Sequence, residues 1–335
     1  MGPGGTKKLL RTATDGQIGA VIGGLPAAAK RNGTQETQHA TRDNSSMCGH
    51  RGGIARHLAP GRRDAHDAVR IHHVAHSGRL VDMAPDTAFA VTPIGVGAAY
   101  GRPGEHQSCY LVTAGTQSIC LDFGAGALNA LCAIARPEDI DLFVISHLHP
   151  DHFIDLLALR VYMVWGPGAG HSIRVAGPPG LREVLAAFGD DGLGTAMQIE
   201  VLTGDATATQ CGGEIEISHR QVPHLPPTYA TRIWFGRRSV CFGADCAPNE
   251  ALSEFASGVD VLLTECSFGE AEIPTGAAHL NAHAAGDIAR RAGARHLLLA
   301  HCFPEYDIER SAQIAAEVAG IPVAPARQGQ TVQIL

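Results

Sequence analysis

A cluster of three histidines and one aspartate constrains this chain more than any other feature. In VISHLHPDHFIDLLALR (residues 144–160), His147, His149, Asp151 and His152 follow directly after the apolar run LFVIS. Such a run is typical of a buried strand, which places the four polar side chains at its end and in the tight loop beyond it. Since side chains two apart on an extended segment share a side, His147 and His149 are expected to point the same way.

Imidazole nitrogens and a carboxylate oxygen in one such loop are typical of a metal site. They suit zinc, although manganese and iron bind the same ligand types. Asp151 and His152, on the turn, can reach a second ion beside the first. The alternative is a solvated histidine-rich loop, which we disfavour because four potential ligands seldom follow an apolar run without a metal. The cluster therefore predicts a centre for one or two metal ions.

The composition allows a large hydrophobic core. The chain has 335 residues, of which 45% are hydrophobic, enough for one large domain or two small ones. No apolar run reaches the ~18 residues of a membrane span, and no apolar signal core follows the N-terminus, so a soluble, cytoplasmic protein is expected. The nine cysteines include no CxxC pair. They are expected to be reduced thiols in the core.

Charge is distributed unevenly along the chain. Residues 87–335 contain 14 Lys and Arg against 26 Asp and Glu, and the three lysines all lie in the first 30 residues. Only scattered arginines remain to meet a polyanion, which argues against an extended nucleic-acid footprint.

The first 86 residues differ in composition from the rest. They are rich in Gly, Arg, His, Ser and Asn and show no sustained periodicity, so residues 1–86 are expected to be disordered. Met83 stands just before the first predicted strand. A second explanation for this extension is therefore that translation truly starts at Met83 and that the residues before it are not part of the protein. An N-terminal peptide from cell extract that maps before Met83 would exclude it.

Residues 87–335 alternate short apolar runs with turn signals. Runs such as CYLVTAG, IRVAGPPG and DVLLTE are typical of strands, and helical patterns occur at 154–164, 180–189, 281–293 and 309–320. Strands with interspersed helices predict a layered α/β domain. No long linker or repeat interrupts this segment, so it is predicted to be one domain.

The HxHxDH spacing after a strand resembles the signature of the metallo-β-lactamase superfamily, and the similarity extends over residues 87–335. It is most similar to the phosphodiesterase branch that includes tRNase Z (ribonuclease Z). The resemblance implies an αββα sandwich, two mixed sheets flanked by helices, with up to two metal ions bound at one edge of the sheets.

The same resemblance supplies the remaining ligands. HLPPTYATRI puts His224 in the place of the third zinc histidine. His219, five residues earlier inside the strand, is the competitor, and His224 is preferred because it lies at the end of the strand. FGADCAP resembles the segment whose aspartate, here Asp245, bridges both ions, although Ala244 replaces a glycine. LLLAHCFPEY makes His301 the last ligand.

The implied cofactor is two Zn²⁺, with Mn²⁺ or Fe as substitutes. The implied ligands of one ion are His147, His149, His224 and Asp245, and those of the other are Asp151, His152, Asp245 and His301. In such sites, with metals roughly 3.5–4 Å apart, a bridging water loses its proton near neutral pH and becomes the nucleophile.

Two further segments resemble that branch. LLTECSF puts Glu265 in the place of a glutamate of that branch, and AHLNAHAAGDIA puts His279 in the place of a histidine. In the branch the glutamate orients the histidine, which contacts the phosphate or protonates the leaving oxygen. The alternative is that Glu265 ends a strand in solvent and His279 caps a helix. The catalytic candidates are therefore Asp151, Glu265 and His279, and Asp122 in LDFGAG is expected to support a ligand or form a turn.

The resemblance also narrows the substrate. True β-lactamases place a cysteine or serine where this chain has Asp245, and flavodiiron oxygen reductases a glutamate where it has His149. tRNase Z proteins carry an arm that grips tRNA, and residues 153–223 and 233–244 show no obvious basic arm. We therefore expect a metal-dependent hydrolase of a small phosphodiester, such as a cyclic nucleotide or short oligonucleotide.

Three other functions remain open at this point. The first is tRNA 3′-processing, as in ribonuclease Z, and the second is hydrolysis of a lactone, thioester or carboxylic ester by the same activated water. The third is a non-catalytic scaffold, which is disfavoured because such proteins lose metal ligands and none is missing here. Relatives often dimerise, so a homodimer is one expectation, and no membrane partner is expected.

Overall fold

The structure, a computed structural model, describes residues 69–73, 88–203, 207–210 and 215–335. Within the predicted extension 1–86, only Val69–His73 is described, and Met83 lies outside the described residues. Those five residues form a strand that pairs antiparallel with Gln330–Ile334 near the C-terminus. The sequence analysis did not predict this strand, which lies before the proposed boundary at residue 87.

Fifteen strands in the described part of the chain form two mixed sheets. The first sheet contains β1 (Val69–His73), β2 (Phe89–Gly95), β3 (Cys109–Ala114), β4 (Gln117–Leu121), β5 (Leu142–Val144), β6 (Ile173–Gly177), β7 (Met197–Val201) and β15 (Gln330–Ile334). The second contains β8 (Thr207–Gln210), β9 (Ile215–Val222), β10 (Thr228–Phe235), β11 (Arg238–Phe242), β12 (Val261–Glu265), β13 (His296–Ala300) and β14 (Val323–Pro325).

The strand order explains where loops meet. The first sheet runs β1-β15-β2-β3-β4-β5-β6-β7 and the second β14-β13-β12-β11-β10-β9-β8. Strands β4 to β7 are parallel, as are β11 to β14. Strand β10 is antiparallel to both β9 and β11, so β9 points the same way as β11. The carboxyl ends of β9, β11, β12 and β13 therefore lie at one edge of the second sheet.

Seven α-helices are described between the strands. They are α1 (Ala127–Cys132), α2 (Pro150–Phe153), α3 (Leu156–Trp165), α4 (Leu181–Ala187), α5 (Glu250–Phe255), α6 (Ala282–Ala292) and α7 (Ile308–Ala319). The four predicted helical patterns are confirmed as α3, α4, α6 and α7. None of the helices in the described ranges is long and apolar enough to cross a membrane.

Three hydrophobic layers hold these elements together. Between the sheets, Phe89 packs against Phe235 with ring centroids 5.9 Å apart, and Tyr110 packs against Phe242 at 5.3 Å. A second apolar cluster joins α5, α6 and α7 to the outer face of the second sheet, and a third joins α1, α3 and α4 to the first sheet. This order of layers confirms the predicted αββα sandwich.

Candidate metal centre

Four predicted ligands converge where the loops after β5, β9 and β11 meet. His149 Nδ1 lies 3.1 Å from His147 Nε2 and 3.2 Å from His224 Nε2. The carboxylate Oδ2 of Asp245 lies 3.9 Å from His147 Nε2. One donor atom from each of these residues falls within 4.8 Å of every other. The loops thus gather the first predicted ligand set in one place.

The second predicted set lies beside the first and uses the loop after β13. His301 Nε2 is 3.0 Å from Asp151 Oδ2 and 3.2 Å from His152 Nε2. Asp245 Oδ2 is 3.4 Å from His152 Nε2 and 3.5 Å from His301 Nε2, so one carboxylate oxygen faces both groups. Asp151, His152, Asp245 and His301 are all buried.

The donor sets fit metal ions. Two nitrogens about 2.0 Å from a tetrahedral zinc lie about 3.3 Å apart, close to the spacings within each group. Neutral imidazole is the form that binds a metal. Burial is the larger cause, and the charge of the neighbouring His152 the smaller one, that hold the pKa of His147 well below its usual range. Zinc coordination by these seven residues remains a prediction, but the arrangement is consistent with it.

The imidazoles are held from behind by hydrogen bonds. Ser146 Oγ donates to Asp122 Oδ2 at 2.9 Å and lies 3.0 Å from His147 Nδ1. Asp122 Oδ2 also lies 2.7 Å from His152 Nδ1. A hydroxyl that gives its one proton to a carboxylate can only accept from His147, so both rings carry a proton on Nδ1 and present Nε2 to the centre.

His224 is anchored in the same manner. Its Nδ1 lies 2.9 Å from the carbonyl oxygen of Ala278, which can only accept, so Nε2 is left to face the cluster. This contact ties the loop after β9 to the segment that precedes α6.

Three residues around the centre have left-handed backbone conformations that L-amino acids seldom adopt. Asp122, Ala244 and His301 have φ of 58°, 54° and 52°. Asp122 contacts His152, Ala244 precedes the shared Asp245, and His301 is itself a predicted ligand. The position where Ala244 replaces the glycine of the resembled motif is thus one where glycine is the unstrained residue. Asp122 also fulfils both expected roles, since it turns the backbone and supports a histidine.

Glu265 and His279 form a pair next to the shared aspartate. His279 Nδ1 lies 3.0 Å from Glu265 Oε1 and 3.7 Å from Asp245 Oδ2. Glu265 is 2% exposed, and α6 is capped by Asn281, so neither residue has the solvent or capping role that the alternative required. Burial lowers the pKa of His279, but the hydrogen bond and charge of Glu265 and the charge of Asp245 outweigh it and raise the pKa to about 8.

Asp245, Glu265 and His279 could also be taken for a third ligand group. The hydrogen bonds of Glu265 oppose this. Its Oε1 accepts from the backbone N–H of Cys246 at 2.9 Å, and its Oε2 accepts from the Ser267 backbone at 3.3 Å and from the Ser267 hydroxyl at 2.5 Å. A carboxylate engaged in this way is built to hold His279.

Ser267 is a residue that the sequence analysis missed. Its fully buried hydroxyl oxygen lies 3.1 Å from His301 Nδ1 and 3.3 Å from His279 Nδ1. Because its proton goes to Glu265, it can only accept from the imidazoles, which leaves His301 Nε2 free toward the second ligand group. Ser267 therefore connects that group to the Glu265–His279 pair. The motif LLTECSF held no signal that distinguishes this serine from a packing residue.

The Ser267→Ala variant is expected to bind a metal ion at the second ligand group about 10–100-fold more weakly than the wild type, because His301 loses its acceptor. Ser267→Thr, which keeps the hydroxyl, should restore the affinity. The measurement is competition between the protein and a chromogenic chelator. Ser253→Ala, at a buried serine of α5, is the matched control. Wild-type affinity in Ser267→Ala would contradict the assigned role.

His219, the competitor of His224, lies apart from the ligand groups. It is fully buried on β9, directly opposite Thr231 on β10, and its Nδ1 lies 3.0 Å from Thr231 Oγ1. Burial lowers the pKa of His219 to about 4. His219 thus packs in the sheet, and His224 is the histidine that lies among the ligands.

The low pKa of His219 predicts acid sensitivity. The unfolded chain takes up a proton near pH 6.5 and the folded chain only near 4, so this stability is complete above 6.5 and is lost as pH falls toward 4. The free energy of unfolding of the chelator-treated wild type should fall between about pH 7 and about pH 4.5. In His219→Gln this fall should be about 2 kcal/mol smaller, because the variant has no histidine to protonate at this position. Urea unfolding measures this, with exposed His171→Gln as control. Parallel curves for wild type and His219→Gln would contradict it.

Comparison of the sequence with known proteins gives a consistent result. Residues 110–302 match the family model described as "Beta-lactamase superfamily domain". The probable metallo-hydrolase YhfI of Bacillus subtilis is 31% identical over 216 residues, which cover 63% of this chain and 86% of YhfI. A ribonuclease Z of Mycobacterium bovis is 27% identical over 191 residues, which cover 52% of this chain and 68% of that protein.

Comparison of the structure with solved structures agrees with the sequence comparison. The crystal structure of Bacillus subtilis YhfI, a metallo-β-lactamase fold protein, superimposes with a TM-score of 0.67 and 27% identity, covering 73% of this chain and 98% of YhfI. The short form of human tRNase Z superimposes with a TM-score of 0.61 and 19% identity, covering 73% of this chain and 99% of that one. At that identity the human protein shows the shared fold alone.

Proposed function

This chain belongs to the metallo-β-lactamase superfamily and is a metallo-hydrolase of it, and on that premise we propose that it cleaves a small phosphodiester. A cyclic nucleotide or a short oligonucleotide is the substrate class, and two zinc ions are the cofactor.

One observation carries the proposal. A single carboxylate oxygen, Asp245 Oδ2, faces both predicted ligand groups and also lies 3.7 Å from His279 Nδ1. Both candidate ligand groups and a candidate acid thus lie close enough to act on one phosphate group. Two adjacent metals can stabilise both the attacking and the leaving oxygen of an in-line displacement at phosphorus, and a proton donor beside them assists the leaving group.

The predicted ligands form two sets, one for each metal ion. His147, His149, His224 and Asp245 would hold one ion, and Asp151, His152, Asp245 and His301 the other. When bound, the ions supply an activated water and offset the negative charge that develops on the phosphoryl oxygens.

His279 supplies the proton for the leaving group in this proposal. Its Nδ1–H is held by Glu265, so Nε2–H is available to the leaving oxygen. A pKa of about 8 keeps the ring protonated at neutral pH, and the buried Glu265 carboxylate stabilises that cation. As the oxygen of a water molecule forms its bond to phosphorus, the bond from phosphorus to the leaving oxygen breaks, and that oxygen takes the proton from His279.

Short connections around the centre support a small substrate. Only residues 223–227 join β9 to β10, and only residues 236 and 237 join β10 to β11. The likeness to ribonuclease Z favours tRNA as an alternative substrate, but no arm extends from these two connections. The net acidic charge of residues 87–335 also disfavours a long polyanion.

The test compares bond types on the same zinc-loaded protein. Bis(4-nitrophenyl) phosphate, a lactone, an acyl thioester and a precursor tRNA are each supplied to the wild type and to His279→Ala. Turnover of the diester by the wild type supports the proposal, and the loss in His279→Ala should be larger for a diester with a poorer leaving group, such as a dinucleoside monophosphate. Faster turnover of the lactone or thioester, unaffected by His279→Ala, would contradict it in favour of an esterase, and cleavage of the tRNA alone would favour the endonuclease.

A further inference from the structure

Three aromatic rings lead outward from His279. The Phe268 ring lies edge-on to His279 with centroids 6.1 Å apart, and Phe303 lies edge-on to Phe268 at 6.0 Å. Tyr100 stacks on Phe303 at 5.1 Å with an interplanar angle of only 20°. We call Tyr100, Phe268 and Phe303 the aromatic shelf.

The outermost ring of the shelf is exposed yet fixed. Tyr100 is 52% exposed, and its hydroxyl donates to the Glu305 carboxylate at 3.1 Å. The Arg102 guanidinium donates to the backbone carbonyl oxygens of Phe303 at 3.4 Å and Tyr306 at 2.8 Å, which holds the loop that carries Phe303. An exposed aromatic surface held in advance loses little entropy when a flat ligand stacks on it.

The position of the shelf relates it to the leaving group. In the proposed reaction His279 protonates the leaving oxygen, so the leaving alcohol lies on the His279 side of the phosphate. Of the shelf rings, Phe268 contacts His279, and Phe303 connects Phe268 to the exposed Tyr100. An organic group attached to the leaving oxygen therefore extends over the shelf.

The charges around the shelf select the kind of group. Arg102 is engaged by Glu105 and by backbone carbonyls, and the carboxylate of Glu305 lies at the rim. This setting repels a second phosphate and leaves flat aromatic surface as the means of recognition. Nucleobases stack on such rings with little dependence on sequence.

We propose that the aromatic shelf is a subsite that stacks the base of the nucleoside on the leaving oxygen, so that the substrate is a nucleotide diester. In a 3′,5′-cyclic nucleotide the leaving oxygen and the base belong to one nucleoside. The inference rests on the proposed phosphodiesterase function and deepens it by assigning the residues that bind the base of the substrate.

Competitive inhibition tests the subsite. AMP and ribose 5-phosphate share phosphate and sugar and differ in the base, and each is titrated against hydrolysis of bis(4-nitrophenyl) phosphate. The wild type should bind AMP about 10-fold more tightly than ribose 5-phosphate, because only AMP carries a base that can stack on the shelf. Tyr100→Leu and Phe303→Leu should raise the AMP inhibition constant about 10-fold and leave that of ribose 5-phosphate within about twofold.

Control variants separate stacking from folding. Phe303→Tyr keeps a ring and should keep the preference for AMP. Trp165→Leu removes a ring that is 76% exposed on α3 and should change neither constant. Turnover of the diester with equal affinities for AMP and ribose 5-phosphate, or a preference that survives both leucine variants, would overturn the subsite alone. No turnover by the zinc-loaded wild type would instead contradict the proposed function on which the subsite depends.

Discussion

Asp245→Asn is expected to lower kcat/KM for a phosphodiester by about 10³-fold, because two adjacent cations offset several kcal/mol of transition-state charge. The change keeps the shape of the side chain but removes the charge of the one oxygen that faces both ligand groups, at 3.4 Å from His152 Nε2 and 3.5 Å from His301 Nε2. The bound zinc should fall from two ions per chain toward one, as measured by elemental analysis after dialysis.

A second buried aspartate provides the control. Asp260 accepts a hydrogen bond from the Ser239 backbone N–H at 2.8 Å and pairs with Arg295 at 3.1 Å, within the fold and outside the ligand groups. Asp260→Asn should affect stability and leave the zinc content at two. If Asp245→Asn retains two tightly bound zinc ions and full activity, the shared carboxylate does not have the role assigned to it.

His279→Ala is expected to lower kcat by about 10²–10⁴-fold while the zinc content stays at two, because a general acid is lost and no metal ligand is removed. The size of the loss should depend on the leaving group. A 4-nitrophenolate departs with little help, whereas the alkoxide of a dinucleoside monophosphate needs a proton. The loss should therefore be much larger for the dinucleotide than for bis(4-nitrophenyl) phosphate, as measured by steady-state kinetics on both.

The Glu265→Gln variant separates the two effects of Glu265 on His279, namely the orientation of the ring and the stabilisation of its protonated form. The amide can still hold His279 Nδ1 but no longer stabilises the imidazolium, so the activity should lie between those of wild type and His279→Ala. Equal losses for both leaving groups in His279→Ala would instead assign the histidine to phosphate binding. That is the other role that the resemblance to the phosphodiesterase branch allowed.

Local patterns accounted for much of the fold and the site. The apolar run before His147 becomes β5, and the helical patterns become helices because their apolar faces pack on the two sheets. The αββα order required the resemblance, since periodicity alone does not assign strands to sheets. Strand β1 was missed because a five-residue pattern in polar surroundings carries little signal, and its pairing with β15 joins residues more than 250 positions apart.

Other features of the site depend on contacts between distant segments. Ser267 acquires its role from His279 and His301 on two other segments, and the aromatic shelf arises where the loops at Tyr100, Phe268 and Phe303 meet. No spacing in the sequence encodes these contacts. The preference for His224 over His219 was argued from its place at the end of a strand, and the structure shows the physical reason: His219 points into the sheet toward Thr231.

Zinc titration of the whole chain tests the central claim most directly, namely that two metal ions together drive phosphodiester hydrolysis. The protein is stripped with a chelator, zinc is added in steps, and release of 4-nitrophenolate from bis(4-nitrophenyl) phosphate is followed at each step. We predict no turnover without metal and a rate that levels off only at two zinc ions per chain. A rate that reaches its maximum at one ion, or no turnover with both ions bound, would contradict the claim.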